Sequence, residues 1–265
     1  MKNMQIRLTL LFFISLIMLM GADTKHLARN EAFSHGEELT FKVKYLFFNA
    51  AEAKMVTSPE IQQINNRPAY KIDVYGKTLS IFKIFKVKDN WGTLLDTAKL
   101  IPHRSYRHIE EGNYRKHEIV DFDHMGKKAN VRLFDRENRN VVETQSYEIP
   151  PNVQDMVSGF YQLRTMDLTR VKPGETINIK GFFDKEIYNL KLIYEGKEKV
   201  DTRIGSYETF KFSPIMPNNK LFSGDNPIKV WITDDKNKIP VKIKANLVVG
   251  ALDMEITEAR GLRNN

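Results

Sequence analysis

The residues with the most chemistry to offer are six histidines and a scatter of carboxylates. His103 and His108 flank Tyr106, and His117 follows just beyond Glu110-Glu111-Gly112-Asn113. If that segment is a hairpin tip, His108 and His117 approach each other across it. With Glu110 or Glu118 they would then make a His/carboxylate metal site. The plainer reading is a polar strand face running Arg104, Tyr106, His108, Glu110, and it is preferred because no dense run of ligands accompanies the pair. Asp121-Phe122-Asp123-His124 places two carboxylates on one strand face, as acid/base pairs require. They stand beside Gly126, where an aspartate commonly bonds the backbone of its own turn. Ser158-Gly159 falls within a predicted helix and has no nucleophile elbow around it. The chain has no H-E-x-x-H pattern and no glycine-rich phosphate loop. These residues assign no catalytic group, no metal site and no cofactor, and the chain reads as a non-enzyme.

Aromatic bulk is the more unusual feature. Phe41, Tyr45, Phe82, Phe85, Trp91, Phe210, Phe212, Phe222 and Trp231 are many for one β domain. The consecutive pairs Phe47-Phe48 and Phe182-Phe183 put a ring on both faces of a strand, so one member of each must leave the main core. It either packs beneath a helix or loop or lines a second apolar surface, and packing is the default. Phe82, Phe85, Trp91 and Trp231 are the candidates for the wall of a ligand-binding pocket.

Period-2 alternation supplies the elements that must position these side chains. Leu39, Phe41, Val43 and Tyr45 alternate with polar residues, as do Val241, Ile243, Ala245 and Leu247, and the segments Tyr188–Tyr194 and Leu252–Ile256 repeat the pattern. Each predicts a strand with one dry and one wet face, which suits antiparallel sheets. Turn residues separate the runs at Asn65-Asn66-Arg67-Pro68, Glu110–Asn113, Asp123–Gly126, Glu195-Gly196-Lys197 and Asp234–Asn237. About a dozen strands result, spaced as in a sandwich or open barrel. One amphipathic helix is predicted around 153–167, with Asn152 as N-cap after Pro150-Pro151. It divides a meander over 37–149 from a second over 175–260. Leu79–Phe85 is helical or irregular, and Ser213–Pro227 is a long loop with three prolines.

The N-terminus reads as an export signal. Lys2 and Arg7 precede the uncharged run Leu8–Met20, and the small residues Gly21 and Ala22 follow. The run is shorter than the roughly 17–25 residues of a spanning helix, although an uncleaved anchor is the rival reading. Cleavage near Ala22 leaves residues 23–265 as a single exported β domain. The 265 residues include no cysteine, which excludes disulfides, thiolate metal sites and a lipid-anchored cysteine. A formal charge of +8 would suit nucleic acid in a cytosolic protein. In an exported chain it suits acidic envelope partners instead, or simply a solvated, lysine-rich sheet face.

In order along the chain, Gly36–Tyr45, Ala50-Ala51-Glu52-Ala53, Leu100-Ile101-Pro102, Asp155–Arg164, Trp231–Asp235, Ile239–Ile243 and Gly250 resemble an exported bacterial family, domain of unknown function 3108. Ala51 stands where that pattern leads one to expect glycine. The resemblance spans about residues 34–260. It implies a periplasmic protein of Gram-negative type, all-β, with a strongly curved antiparallel sheet similar to the open half-barrels of periplasmic lipoprotein carriers. Those carriers bind acyl chains on the concave face. The expected function is therefore non-enzymatic binding of a hydrophobic or amphiphilic ligand, or of a lipid-linked partner such as an acyl lipid, a lipoprotein or an anionic envelope polymer. The alternative is a structural or interaction module of envelope biogenesis with a filled core and no ligand.

Overall fold

The computed structural model describes residues 29–79, 86–137, 140–215 and 222–264. The proposed signal at 1–22, Phe82, Phe85, most of the Leu79–Phe85 piece and the middle of the Ser213–Pro227 loop lie outside the described residues.

Among the described residues fourteen antiparallel strands form one sheet. The first half holds β1 (Glu38–Tyr45), β2 (Phe48–Ile64), β3 (Arg67–Thr78), β4 (Lys88–Asp96), β5 (Pro102–Glu111), β6 (Tyr114–Asp123), β7 (Lys128–Phe134) and β8 (Val141–Glu148). The second holds β9 (Thr176–Phe183), β10 (Glu186–Thr202), β11 (Gly205–Pro214), β12 (Ile228–Thr233), β13 (Pro240–Asn246) and β14 (Ala251–Arg260). Except for β8 and β9, strands that are neighbours in sequence pair with each other, and β1 pairs with β14, so the two meanders join into one ladder ending at β8 and β9. This is the expected curved antiparallel sheet, and the ladder does not close. Between β8 and β9 the chain makes one parallel bridge, Gln154 to Gly181.

Alternation sets the two faces. Across the middle of the ladder Val230, Ile243, Met254 and Val43 stand in register on the inner face. One residue along, Trp231, Lys242, Glu255, Lys42 and Glu52 form a charged row on the outer face.

The helix α1 spans Met156–Arg164 and is buried on every face. It lies within the concavity, with its polar stripe of Asp155, Ser158 and Gln162 buried along with its apolar residues. Its N-cap is Asp155 rather than Asn152, with a capping box in which Asp155 accepts from the Val157 and Ser158 amides and Ser158 reaches back to the Asp155 amide. The expected start fails because Gln154 is taken by β9, donating to Lys180 O and accepting from Phe182 N. Hydrogen bonds fix α1 to the inner wall, from Thr93 Oγ1 to Asp155 (2.6 Å) and between Thr57 and Tyr161 (3.3 Å). Glu195-Gly196-Lys197 is not a turn either. It lies inside the seventeen-residue β10, where the register slips between Tyr194 and Gly196 as a bulge.

Candidate functional site

The two described members of the expected ligand wall stand on opposite faces of the sheet. Trp91 points inward, opposite Arg107. Trp231 sits on the outer face, opposite Lys211 and Lys242, whose ammonium groups roof its ring at 5.2 and 5.6 Å. Its burial comes from those aliphatic stems. The pair therefore lines no common pocket.

Around Trp91 the interior is polar and tightly closed. The Arg107 guanidinium lies between the Trp91 ring (5.4 Å) and the Phe183 ring (4.7 Å). Its Nε is 2.7 Å from Glu118, and it also bonds Asp184 in the β9–β10 turn. Lys116 stands 2.9 Å from the same Asp184 oxygen. Burial alone would raise the Asp184 carboxyl, but Arg107 and Lys116 outweigh it and hold it at about 2. The cluster clasps a central strand of the first half to an edge turn of the second. Between it and α1 remains a cavity of about 30 Å³, room for roughly one water molecule. That cavity takes no acyl chain. The Phe182-Phe183 pair divides as expected: Phe183 joins Trp91, while Phe182 packs against Phe122 and Tyr147.

Further along the inner wall, burial pushes the Asp89 carboxyl up to about 6. A raised carboxyl pKa favours the folded state while the group is protonated. That contribution is complete below the unfolded value near 4 and is lost as pH rises through about 6. Asp89→Asn keeps an oxygen for the Glu110 amide, which Asp89 accepts at 3.0 Å. Thermal melts should show the variant gaining on the parent above pH 6 and matching it near pH 4. A constant offset across that range would refute the assignment.

The residues first considered for chemistry resolve structurally. His108 and His117 do meet across the β5–β6 hairpin, as rings stacked at 3.7 Å, with Phe134 stacked on His117 at 4.3 Å. Among the described residues no group of three or more His, Asp or Glu is placed to hold a metal ion. Asp123 accepts from the Gly126 amide at 2.8 Å, the turn role expected of it, and Asp121 bridges Arg104 and Arg132.

The outstanding surface lies at the end of the sheet formed by the β1–β2 and β13–β14 turns. Phe47 is 89% exposed, Phe48 58%, Val248 63%, Val249 70% and Leu46 49%. The two tips are tied together: Tyr45 OH donates to Val249 O (3.0 Å) and Leu46 N to Ala251 O (3.2 Å). Leu46 holds φ = 54°, a left-handed position that asparagine or glycine fills at far less cost. Gly250, at φ = 79°, leaves the space that Leu46 occupies: a Cβ there would lie 2.8 Å from Leu46 Cδ2. Ile187 and Ile215, also exposed, flank the same end. Just below, Lys229, Lys244 and Lys44 lie along one outer row, with Asp253 between the last two. The sequence placed one member of Phe47-Phe48 outside the main core, and the structure exposes both. The other tip was overlooked, although Leu247-Val248-Val249 before Gly250 breaks the period-2 pattern just where a turn is due.

Among the described residues no helix is long and apolar enough to cross a membrane. A family model described as a protein of unknown function (DUF3108) matches residues 40–257. No curated protein matches. Among solved structures, a β-barrel-like protein of domain of unknown function DUF1849 from Brucella abortus aligns with a TM-score of 0.54 at 10% identity, over 86% of this chain and 98% of its own. At that identity the likeness is one of fold.

Proposed function

Because the chain belongs to the DUF3108 family of proteins of unknown function, its activity has to be argued from its own surface, and we propose a non-enzymatic, exported envelope protein that docks on an anionic lipid surface through its apolar hairpin tips. The observation that carries this is the exposure of Leu46, Phe47, Phe48, Val248 and Val249 on two tethered turns. Turns favour Gly, Asn, Asp and Ser for conformational reasons. Phe47, Val248 and Val249, all more than half exposed, are large apolar side chains that turn geometry does not call for, and Leu46 and Phe48 beside them widen the apolar patch. A bilayer interface gives them somewhere to bury, and Lys44 and Lys244 behind them supply positive charge for headgroups, while Lys229 in the same row is paired with Glu195. The formal charge points the same way: without Lys2 and Arg7 the +8 of the full chain becomes 8 − 2 = +6. The helix-filled interior supports a lipid partner met at the surface rather than swallowed, so this reading departs from that of a carrier with an acyl-filled trough. The proposed periplasmic location puts such a tip within reach of membrane leaflets on either side.

The test is co-sedimentation of the chain from residue 23 onward with phosphatidylcholine vesicles, with and without phosphatidylglycerol. Binding should require the anionic lipid and weaken with salt. Moving a phenyl ring into an apolar phase is worth roughly 1.5–3 kcal/mol. Phe47→Ser with Phe48→Ser should therefore reduce partitioning by about tenfold or more, with an unchanged melt. No binding to either vesicle, or parental binding by the double variant, would sink the proposal.

A further inference from the structure

β8 ends the ladder, and among the described residues no strand pairs with its far side. Every residue of it is exposed except the half-buried Tyr147, which packs on the apolar cluster beneath. The strand thus overhangs the core rather than covering it. The register decides which of its backbone groups are open. Ile149 donates to Lys127 O at 2.9 Å, and Glu148 stands opposite Lys128. In an antiparallel ladder, residues that bond the neighbouring strand alternate with residues that do not. Gln145 and Tyr147 therefore turn their amides and carbonyls toward β7, while Thr144, Ser146 and Glu148 turn theirs outward. Just before them the register slips: Leu133 faces Glu143, Phe134 faces Val141, and Val142 stands opposite no residue of β7.

An open edge of this length is normally guarded by lysine, proline or a covering segment. β8 has neither lysine nor proline. The other end of the ladder is not equivalent, because Gln154 already takes Lys180 O and the Phe182 amide on the outer side of β9. Joining β8 of one molecule to β9 of the next is obstructed in this way.

We propose that β8 pairs with β8 of a second copy of this chain, antiparallel about a two-fold axis through Ser146, so that one sheet runs through both molecules. Outward N–H and C=O groups at every second residue match another extended backbone. The open residues are symmetric about Ser146: the axis sets Ser146 against itself and Thr144 against Glu148 of the partner subunit, each pair exchanging both of its N–H···O bonds. The side chains agree. Glu148 lies beside Lys128 and Thr144 beside Arg132. Each charged row across the joint therefore runs Lys128, Glu148, Thr144 of the partner subunit, Arg132 of the partner subunit, with no like charges adjacent. One strand edge is small beside the roughly 1,200–2,000 Å² of a stable complex, so the dimer is a reversible one. The inference does not rest on the lipid-facing turns, which lie in the middle of the ladder rather than at its end.

The experiment is sedimentation velocity on the chain from residue 23 onward, without vesicles, from about 1 µM to about 500 µM. Monomer should give way to dimer across that range. Ser146→Pro deletes an amide that the chain's own ladder does not use, and it should stay monomeric with an unchanged melt. Glu148→Lys sets a cation between Lys128 and the incoming strand and should weaken the dimer by about tenfold or more. Because the chain has no cysteine, single cysteines report the register. Ser146→Cys should be joined across the axis by a short bismaleimide. Thr144→Cys, whose mate lies roughly 14 Å away along the strand, should not. The cysteine pair decides the matter even if the proline variant fails to fold. A monomer throughout the range, a dimer that survives in a folded Ser146→Pro, or cross-linking no stronger at Ser146→Cys than at Thr144→Cys would overturn the proposal.

Discussion

Glu37→Ala should lower the unfolding free energy by about 3–5 kcal/mol, the usual consequence of removing one partner from a buried ion pair. Arg164, at the end of α1, is 0% exposed, and Glu37, just before β1, is 1% exposed. The two meet in a bidentate pair at 2.6 and 2.7 Å. The guanidinium also donates to Asn237 O at 3.0 and 3.1 Å, and it lies 5.4 and 5.0 Å from the ring centres of Phe33 and Tyr161. The contact joins the segment before β1, the plug helix and the β12–β13 turn, three places far apart in sequence. Without Glu37 the charge stays buried with only carbonyls and ring faces around it, and neither neutralises it. Urea denaturation measures the loss. The double variant Glu37→Leu with Arg164→Met tests the cause, because replacing both charges by apolar groups removes the stranded ion and should recover most of the stability. A loss below about 1 kcal/mol in Glu37→Ala, or a double variant worse than the single one, would show that the pair does not carry this weight.

That pair also shows what a sequence conceals. Alternation in segments such as Leu39–Tyr45 and Val241–Leu247 is a local property, so the strands and their dry faces could be read directly. The bulge at Gly196 could not, because a glycine between two polar residues looks the same in a turn as in a slipped ladder. Its left-handed φ of 116° serves either. Asn152 and Asp155 are equally good caps in isolation. The choice between them is made by β9, which takes Gln154 into a bridge and delays the helix. Glu37 and Arg164 gave no sign of each other, nor did Asn65, Asn130 and the Lys99–His103 stretch, three separate places that line one cleft only through strand register. The apolar tips were half legible: Phe47-Phe48 broke the pattern visibly, while their approach to Val248 and Val249 depends on β1 pairing with β14.

Phe160→Ala should cost about 3–5 kcal/mol, the range for deleting a fully buried aromatic ring. Phe160 is 0% exposed at the middle of α1 and belongs to the main apolar cluster, which draws on both halves of the sheet. Its ring meets Tyr161 edge-on at 6.0 Å between centroids. Two terms add: the transfer energy of the lost ring, and the cavity left because the surrounding strands cannot collapse inward. Their ladder hydrogen bonds hold them apart, so the second term should be large. The same rigidity makes the helix a plug whose loss would empty the concavity. A chain that used α1 as a lid would tolerate the change better, since a lid is free to shift over the space beneath it. Denaturant melts separate the two arrangements. A loss in the predicted range, together with new binding of a small apolar probe such as benzene or xenon in the vacated space, would fit the plug. A change below about 0.5 kcal/mol would mean that the helix is peripheral to the core and that the sheet stands without it.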